Sequence, residues 1–61
     1  MLPNAQLVAI LSCIRAAERE DWPSWSAQQA QDWFSDRLRQ RGFEEALIEP
    51  LALKCMEAMI G

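Results

Sequence analysis

The helix-breaking residues of this sequence are few, and their positions divide it into three segments. Glycine occurs only at positions 42 and 61, and proline only at positions 3, 23 and 50. Between these breakers the apolar residues recur at intervals of three and four, the spacing of one face of a helix. No stretch alternates apolar and polar residues as a half-buried strand does. The sequence therefore predicts an all-α fold of three helices, over about 4–20, 26–41 and 44 or 50 to 60.

The chain has 61 residues, which is enough for a single helical domain over 1–61 and no more. A core of this size rarely supplies more than about 3–5 kcal/mol of stability. Yet 51% of the residues are hydrophobic, which is slightly above the usual share of about 45–50%. Some of that apolar surface must stay exposed or be covered by another chain, so we expect a homodimer.

The first predicted helix is apolar on almost every side. Asn4 is expected as its N-cap, because asparagine readily accepts a backbone N–H of the first turn. Leu7, Leu11 and Ile14 form one stripe at helical spacing, and Val8 and Ile10 widen it. An all-round apolar helix is typical of a buried one. In so short a chain it is either the central helix or part of a dimer seam.

Two tryptophans flank a proline in the first connection. Pro23 disfavours the helical conformation for Trp22, so the first helix should end before it. Trp22 and Trp25 allow two interpretations. They either cover the ends of the core, or they anchor a partner, because tryptophan is enriched in interface hot spots.

The second helix has clear signals at both ends. Ser26 and Gln29 fit a capping box at its start. Gly42 is expected to end it as a left-handed cap, and the arginines before it favour the negative end of the helix dipole. The predicted inner face consists of Ala27, Ala30, Trp33, Phe34 and Leu38.

The third segment contains Pro50, which leaves two structures open. Either one helix kinks there, or a short turn over 44–48 leads into a new helix that begins at Pro50; the sequence favours the second slightly. Two apolar stripes follow at helical spacing. The one expected to face the core consists of Leu47, Leu51, Cys55 and Met59, and the other of Leu53, Met56 and Ile60.

A helix that packs against one core needs a single apolar stripe. We therefore expect the second stripe, together with a loop tryptophan, to form a partner or dimer contact, since methionine adapts to varied shapes. The alternative is that this stripe completes the core. The predicted partner-binding residues are Trp22, Trp25, Leu53, Met56 and Ile60.

The side chains needed for catalysis are missing from the sequence. It contains no histidine and no tyrosine, so a serine or cysteine nucleophile lacks its usual base. Cys13 and Cys55 have no zinc-site spacing; a disulfide between them is possible if the terminal helices pack together. There is no glycine-rich phosphate loop, and so small a unit should lack a pocket of about 300 Å³ or more. We expect a non-enzymatic protein with no metal and no cofactor.

A helix-turn-helix unit is a possible interpretation of the second and third helices, because Gly42 joins them. The would-be recognition helix then begins with Glu44, Glu45 and Glu49 and includes Pro50. Those carboxylates would be repelled by phosphate, and the formal net charge of the chain is −3. Nucleic-acid binding is therefore disfavoured.

The aromatic residues of the middle segment resemble the first half of a sterile alpha motif domain, a five-helix protein-interaction module. The resemblance covers about 25–47 and rests on Trp25-Ser26, Trp33-Phe34, Gly42-Phe43 and Leu47. The second half of that pattern is absent, and the first helix has no counterpart in it. We do not assign the chain to this family.

These observations favour a regulatory or adaptor protein that acts by binding another protein. Small acidic helical proteins of this kind are often phage or mobile-element inhibitors of a host complex, an association based on size and type alone. The alternative is an obligate small subunit of a larger assembly. No apolar run approaches the roughly 20 residues of a membrane span, so we expect a cytoplasmic protein with no membrane partner.

Overall fold

The computed structural model describes residues 4–60 and confirms a compact three-helix fold, with no strand in that range. The helices are α1 (Asn4–Glu18), α2 (Ala27–Gln40) and α3 (Glu45–Ile60), and a 3₁₀ turn, Trp22–Ser24, lies between α1 and α2. The three helices pack on one another, with the most extensive packing between α2 and α3. The core residues are Ala9, Ile10, Cys13, Ala17, Phe34, Leu38, Ile48, Leu51, Ala52 and Cys55.

Asn4 is already helical, and the residues before it, which would show where α1 begins and what caps it, lie outside the described residues. The α-helix ends at Glu18, two residues before the predicted end, because the backbone hydrogen bonds after it no longer reach four residues back. The N–H groups of Arg19 and Glu20 bond three residues back, at 3.2 and 2.9 Å.

Within one chain α1 is not buried all round, so the central-helix alternative is wrong, and its place in a dimer seam stays a prediction. Its inner side consists of Ala9, Ile10, Cys13 and Ala17, and both alanines are fully buried. Leu7, Val8 and Leu11 are instead 41%, 56% and 59% exposed. The two alanines let α1 approach its neighbours closely, and residues 4–60 form no fourth helix that could cover the other side. Helix α1 is thus not central to the fold.

Both predicted ends of α2 are confirmed. The Ser26 Oγ accepts a hydrogen bond from the Gln29 N–H at 3.1 Å, and the Gln29 Oε1 accepts one from the Ser26 N–H at 2.8 Å. Gly42 has φ +89°. The Gly42 and Phe43 N–H groups bond the carbonyls of Arg39 and Leu38 at 2.9 and 3.4 Å, which is the Schellman pattern.

The inner face of α2 differs from its prediction at two positions. Phe34 and Leu38 are buried and Ala30 and Trp33 half-buried, but Ala27 is exposed. Ser35, which is not among the predicted inner-face residues, is buried.

The preferred start of a new helix at Pro50 is wrong, because α3 runs without interruption from Glu45 to Ile60. A proline inside a helix removes the hydrogen bond to the carbonyl four residues earlier, here that of Ala46. Pro50 and Ala46 are both exposed. Water can therefore solvate that carbonyl, and packing of the flanking turns holds the helix together.

The core side of α3 is centred differently from the prediction. Leu51 and Cys55 are buried as expected, but Leu47 and Met59 are only half-buried. Ile48 and Ala52, in neither predicted stripe, are buried instead. Because α3 contacts both α1 and α2, its buried arc is wider than one stripe.

Candidate functional site: an apolar cleft

The 3₁₀ turn holds the two tryptophans of the first connection in defined positions. Pro23 lies in its first turn, where a missing N–H breaks no bond. The Trp25 N–H donates to the Trp22 carbonyl at 3.0 Å. The Ser24 Oγ donates to the Asp21 carbonyl at 2.7 Å. The turn therefore fixes Trp22 and Trp25 next to the first turn of α2.

Trp25 packs against an aromatic pair on α2. Its ring centroid lies 5.1 Å from that of Trp33, with an interplanar angle of 38°, and 6.4 Å from that of Phe34, edge to face. Trp33 and Phe34 are themselves 5.1 Å apart at 89°. The Arg37 guanidinium lies 4.8 Å from the centre of the Trp33 ring, a cation–π arrangement. The Trp25 side chain is thus half-buried and held in place by the aromatic rings of α2.

An apolar cleft of about 260 Å³ opens between this aromatic group and the end of α3. Among the described residues that line it, the polar side-chain groups are the Ser26 hydroxyl and the two tryptophan indole N–H groups, and none is charged. The cleft residues are Trp22, Pro23, Trp25, Ser26, Ala27, Ala30, Phe34, Met56, Met59 and Ile60. We call this site the aromatic–methionine cleft.

Four of the five predicted partner-binding residues line this cleft: Trp22, Trp25, Met56 and Ile60. Leu53 does not; it is 43% exposed, two turns before Ile60 on the same side of α3. Met56 is half-buried and packs against the core, so the expectation that it faces outward is only partly correct. Ile60 is 82% exposed.

Met59 is the cleft residue that the sequence assigned to the core stripe alone. It is half-buried and packs against the core, and it also lines the cleft. The spacing of Met56, Met59 and Ile60 at i, i+3 and i+4 could have indicated one shared surface.

A second concavity lies at the other end of α2 and α3 and is polar. Its volume is about 430 Å³, so the expectation that no space above about 300 Å³ exists is wrong. Arg39 spans it, with Nε 2.8 Å from Glu45 Oε1 and a guanidinium nitrogen 3.4 Å from Asp36. The hydrogen bond from Arg39 lowers the pKa of Glu45. All three side chains are solvent-exposed, so this groove is an ordinary charged surface.

The two cysteines meet in the core, where α1 packs against α3. Both are free thiols, and they are 2% and 0% exposed. A hydrogen bond from the Cys55 thiol lowers the pKa of Cys13 to about 7, against burial, and Arg41 and Arg37 add to the lowering. The hydrogen bond with Cys13, together with burial, raises the pKa of Cys55. The pair thus accepts one negative charge and resists a second.

Three further features of residues 4–60 concern metal binding, membrane insertion and contact with nucleic acid. No three histidine, cysteine or acidic side chains in this range cluster as metal ligands do. None of its helices combines the length and apolar character that crossing a bilayer requires. At the start of α3, Glu44, Glu45 and Glu49 are exposed, which is unfavourable for contact with phosphate.

Comparison with known proteins gives no relative: no family model, no curated protein and no solved structure matches this chain.

Proposed function

We propose that this chain is a non-enzymatic regulatory or adaptor protein that binds a protein partner through the aromatic–methionine cleft. The observation that carries the proposal is the cleft itself, an apolar depression between Trp22, Trp25 and the last turns of α3. Its Trp25 side is held in place by ring contact with Trp33. Tryptophans held in this way lose little conformational entropy when they bind.

The occupant that fits this cleft is one large apolar side chain presented by an amphipathic helix of the partner. A volume of about 260 Å³ lies below the range of about 300–1,000 Å³ typical of small-molecule sites. The absence of charge among the described lining residues favours an apolar anchor. Met56 and Met59 can adjust to its shape, as methionines do in grooves that accept helices.

Inhibition of a host complex, of the phage or mobile-element type, is one form that this function would take. The second candidate is an obligate small subunit of a larger assembly, favoured by the exposed Leu7, Val8 and Leu11 on α1. A regulator should be folded and soluble alone, whereas an obligate subunit should aggregate or melt at low temperature without its assembly. A nucleic-acid binder would instead be retained on DNA or RNA in a salt-sensitive way.

The test compares two acidic substitutions in the last turns of α3. Ile60→Asp places a carboxylate at the cleft, and Ala58→Asp places one at an exposed position outside it. Both positions are exposed and at the negative end of the helix, so the two substitutions should change the free energy of unfolding by similar amounts. A photoreactive residue at Ile60 identifies the partner in lysate of the native host, and the affinities are then measured with the purified proteins.

We expect Ile60→Asp to weaken binding at least roughly tenfold, about 1.4 kcal/mol, and Ala58→Asp to bind like the original chain. Equal affinities for the two variants would place the contact elsewhere. A folded chain that captures no protein would contradict the proposal.

A further inference from the structure

The two cysteines of the chain form a pair in the core that the proposed function does not use. Cys13 on α1 and Cys55 on α3 are neighbouring free thiols, 2% and 0% exposed. Among residues 4–60 no third metal-ligating side chain clusters with them, so a zinc site, which takes four ligands, does not explain the pair. We call these two residues the core thiol pair.

The surroundings of Cys13 favour its thiolate, the form of cysteine that reacts with oxidants. A hydrogen bond from the Cys55 thiol, followed by the charges of Arg41 and Arg37, lowers the pKa of Cys13 to about 7 against the effect of burial. The pKa of Cys55 is raised, so this thiol keeps its proton. The pair thus places a nucleophilic sulfur beside a second thiol that can react with its oxidised form.

We propose that the core thiol pair is a redox-sensitive lock, in which oxidation by a peroxide joins Cys13 to Cys55 in a disulfide that ties α1 to α3. The Cys13 thiolate attacks one oxygen of hydrogen peroxide, the O–O bond breaks, and a sulfenic acid and hydroxide form. The Cys55 sulfur then attacks the Cys13 sulfur. The S–S bond forms as the S–O bond breaks, and the hydroxyl group leaves with the Cys55 proton as water. Two electrons pass from the two sulfurs to the peroxide.

The packing of α1 decides how an oxidant reaches the pair. Both cysteines are almost completely enclosed, so the core must open locally before they react. Helix α1 packs on α3 less extensively than α2 does. A small separation of α1 from α3 is therefore the opening that admits a molecule as small as hydrogen peroxide to Cys13.

The disulfide would stabilise the folded chain because of the loop that it closes. The loop runs from α1 to α3 and contains the whole of α2. Closing a long loop removes conformational freedom from the unfolded chain. The oxidised chain should therefore hold α1 against α3 more firmly than the reduced chain does. This lock does not depend on the aromatic–methionine cleft.

The first test treats the reduced original chain with hydrogen peroxide and measures its mass and its free thiols. We expect both thiols to disappear with a loss of about 2 Da, whereas a sulfoxide at a methionine adds about 16 Da. Reductant should restore both thiols. Two thiols that persist, disulfides only between chains, or further oxidation of Cys13 without a bond to Cys55 would each overturn the proposal.

The second test separates the roles of the two cysteines. Cys55→Ser keeps a hydrogen-bond donor beside Cys13, and its reaction should stop at the Cys13 sulfenic acid, which a 1,3-dione probe captures. Cys13→Ser should react with peroxide at least roughly tenfold more slowly, because burial still raises the pKa of Cys55. Equal rates for the two variants would contradict the assignment of Cys13 as the reacting thiol.

The third test needs no variant and asks whether the fold favours the disulfide. The original chain is equilibrated with a small thiol and its disulfide, once folded and once unfolded in denaturant, and the fraction of oxidised chain is measured. By linkage, folding should raise the equilibrium constant for the Cys13–Cys55 bond as much as the bond stabilises the fold. We expect an increase of at least roughly tenfold. An equal or lower constant in the folded chain would show that the core does not accept this bond.

Discussion

Cys13 on the first helix and Cys55 on the last are neighbouring free thiols buried in the core of this protein, although most of the chain separates them. Their contact joins α1 to α3, the two helices at the ends of the sequence. The structure holds them as free thiols, so packing rather than a covalent bond maintains this contact.

The fold should be independent of disulfides and of metal ions. The core cysteines are reduced, and residues 4–60 contain no cluster of metal-ligating side chains. We expect the helical circular dichroism spectrum and the thermal midpoint to stay unchanged in excess reductant and in chelator. Loss of helical signal under either agent would contradict this.

The thiol pair should make stability depend on pH above neutrality. The pKa of Cys13 is about 7 in the folded chain, against an ordinary 9.0. Between these values the unfolded chain holds the proton that the folded chain has lost, so the free energy of unfolding rises with pH, by at most about 1.4 kcal/mol per pH unit. The raised pKa of Cys55 has the opposite effect above pH 9.0, where the unfolded thiol ionises and the folded one does not.

Denaturant unfolding measured across this pH range should therefore show a maximum near pH 9.0, the ordinary cysteine pKa. Cys55→Ala removes the donor to Cys13 and should flatten the rise, whatever its effect on the baseline stability. A variant with the same pH profile as the original chain would show that the pair does not titrate in this way.

Truncation of Leu38 should unfold much of the protein. Leu38, on α2, is fully buried in the core, and Leu→Ala in a core costs about 2–5 kcal/mol. A domain of this size has about that much stability in total. Leu53→Ala, at a 43% exposed leucine, is the control and should cost less than about 1 kcal/mol. Denaturant unfolding measures the free energy of unfolding of both variants. Similar losses for the two would contradict the placement of Leu38 in the core.

Replacement of Pro50 should stabilise the protein. Pro50→Ala restores an N–H inside α3 that can bond the Ala46 carbonyl, and proline inside a helix is less favourable than alanine by up to about 3 kcal/mol. Pro23→Ala should have the opposite sign, with a loss of about 0.4–1 kcal/mol, because Pro23 already has a compatible conformation in its 3₁₀ turn. Thermal unfolding measures both. A lower midpoint for Pro50→Ala would indicate that the ring itself contributes to packing.

The sequence alone determined where α2 begins and ends. Ser26, Gln29 and Gly42 act through hydrogen bonds and dihedral angles within a few residues, so their effect can be predicted without the rest of the fold. Helical spacing likewise placed Met56 and Ile60 on one side of α3, and both line the cleft.

The tertiary structure decided which side of each helix is buried. Leu7 and Leu11 are more apolar than Ala9 and Ala17, yet the alanines are inside, because close approach of the helices depends on the size of the facing side chains. The continuity of α3 through Pro50 has the same origin, since packing on both sides outweighs one missing hydrogen bond. The meeting of the cysteines and the formation of the aromatic–methionine cleft also required α1, α2 and α3 to be in place, because each joins residues that no local pattern connects.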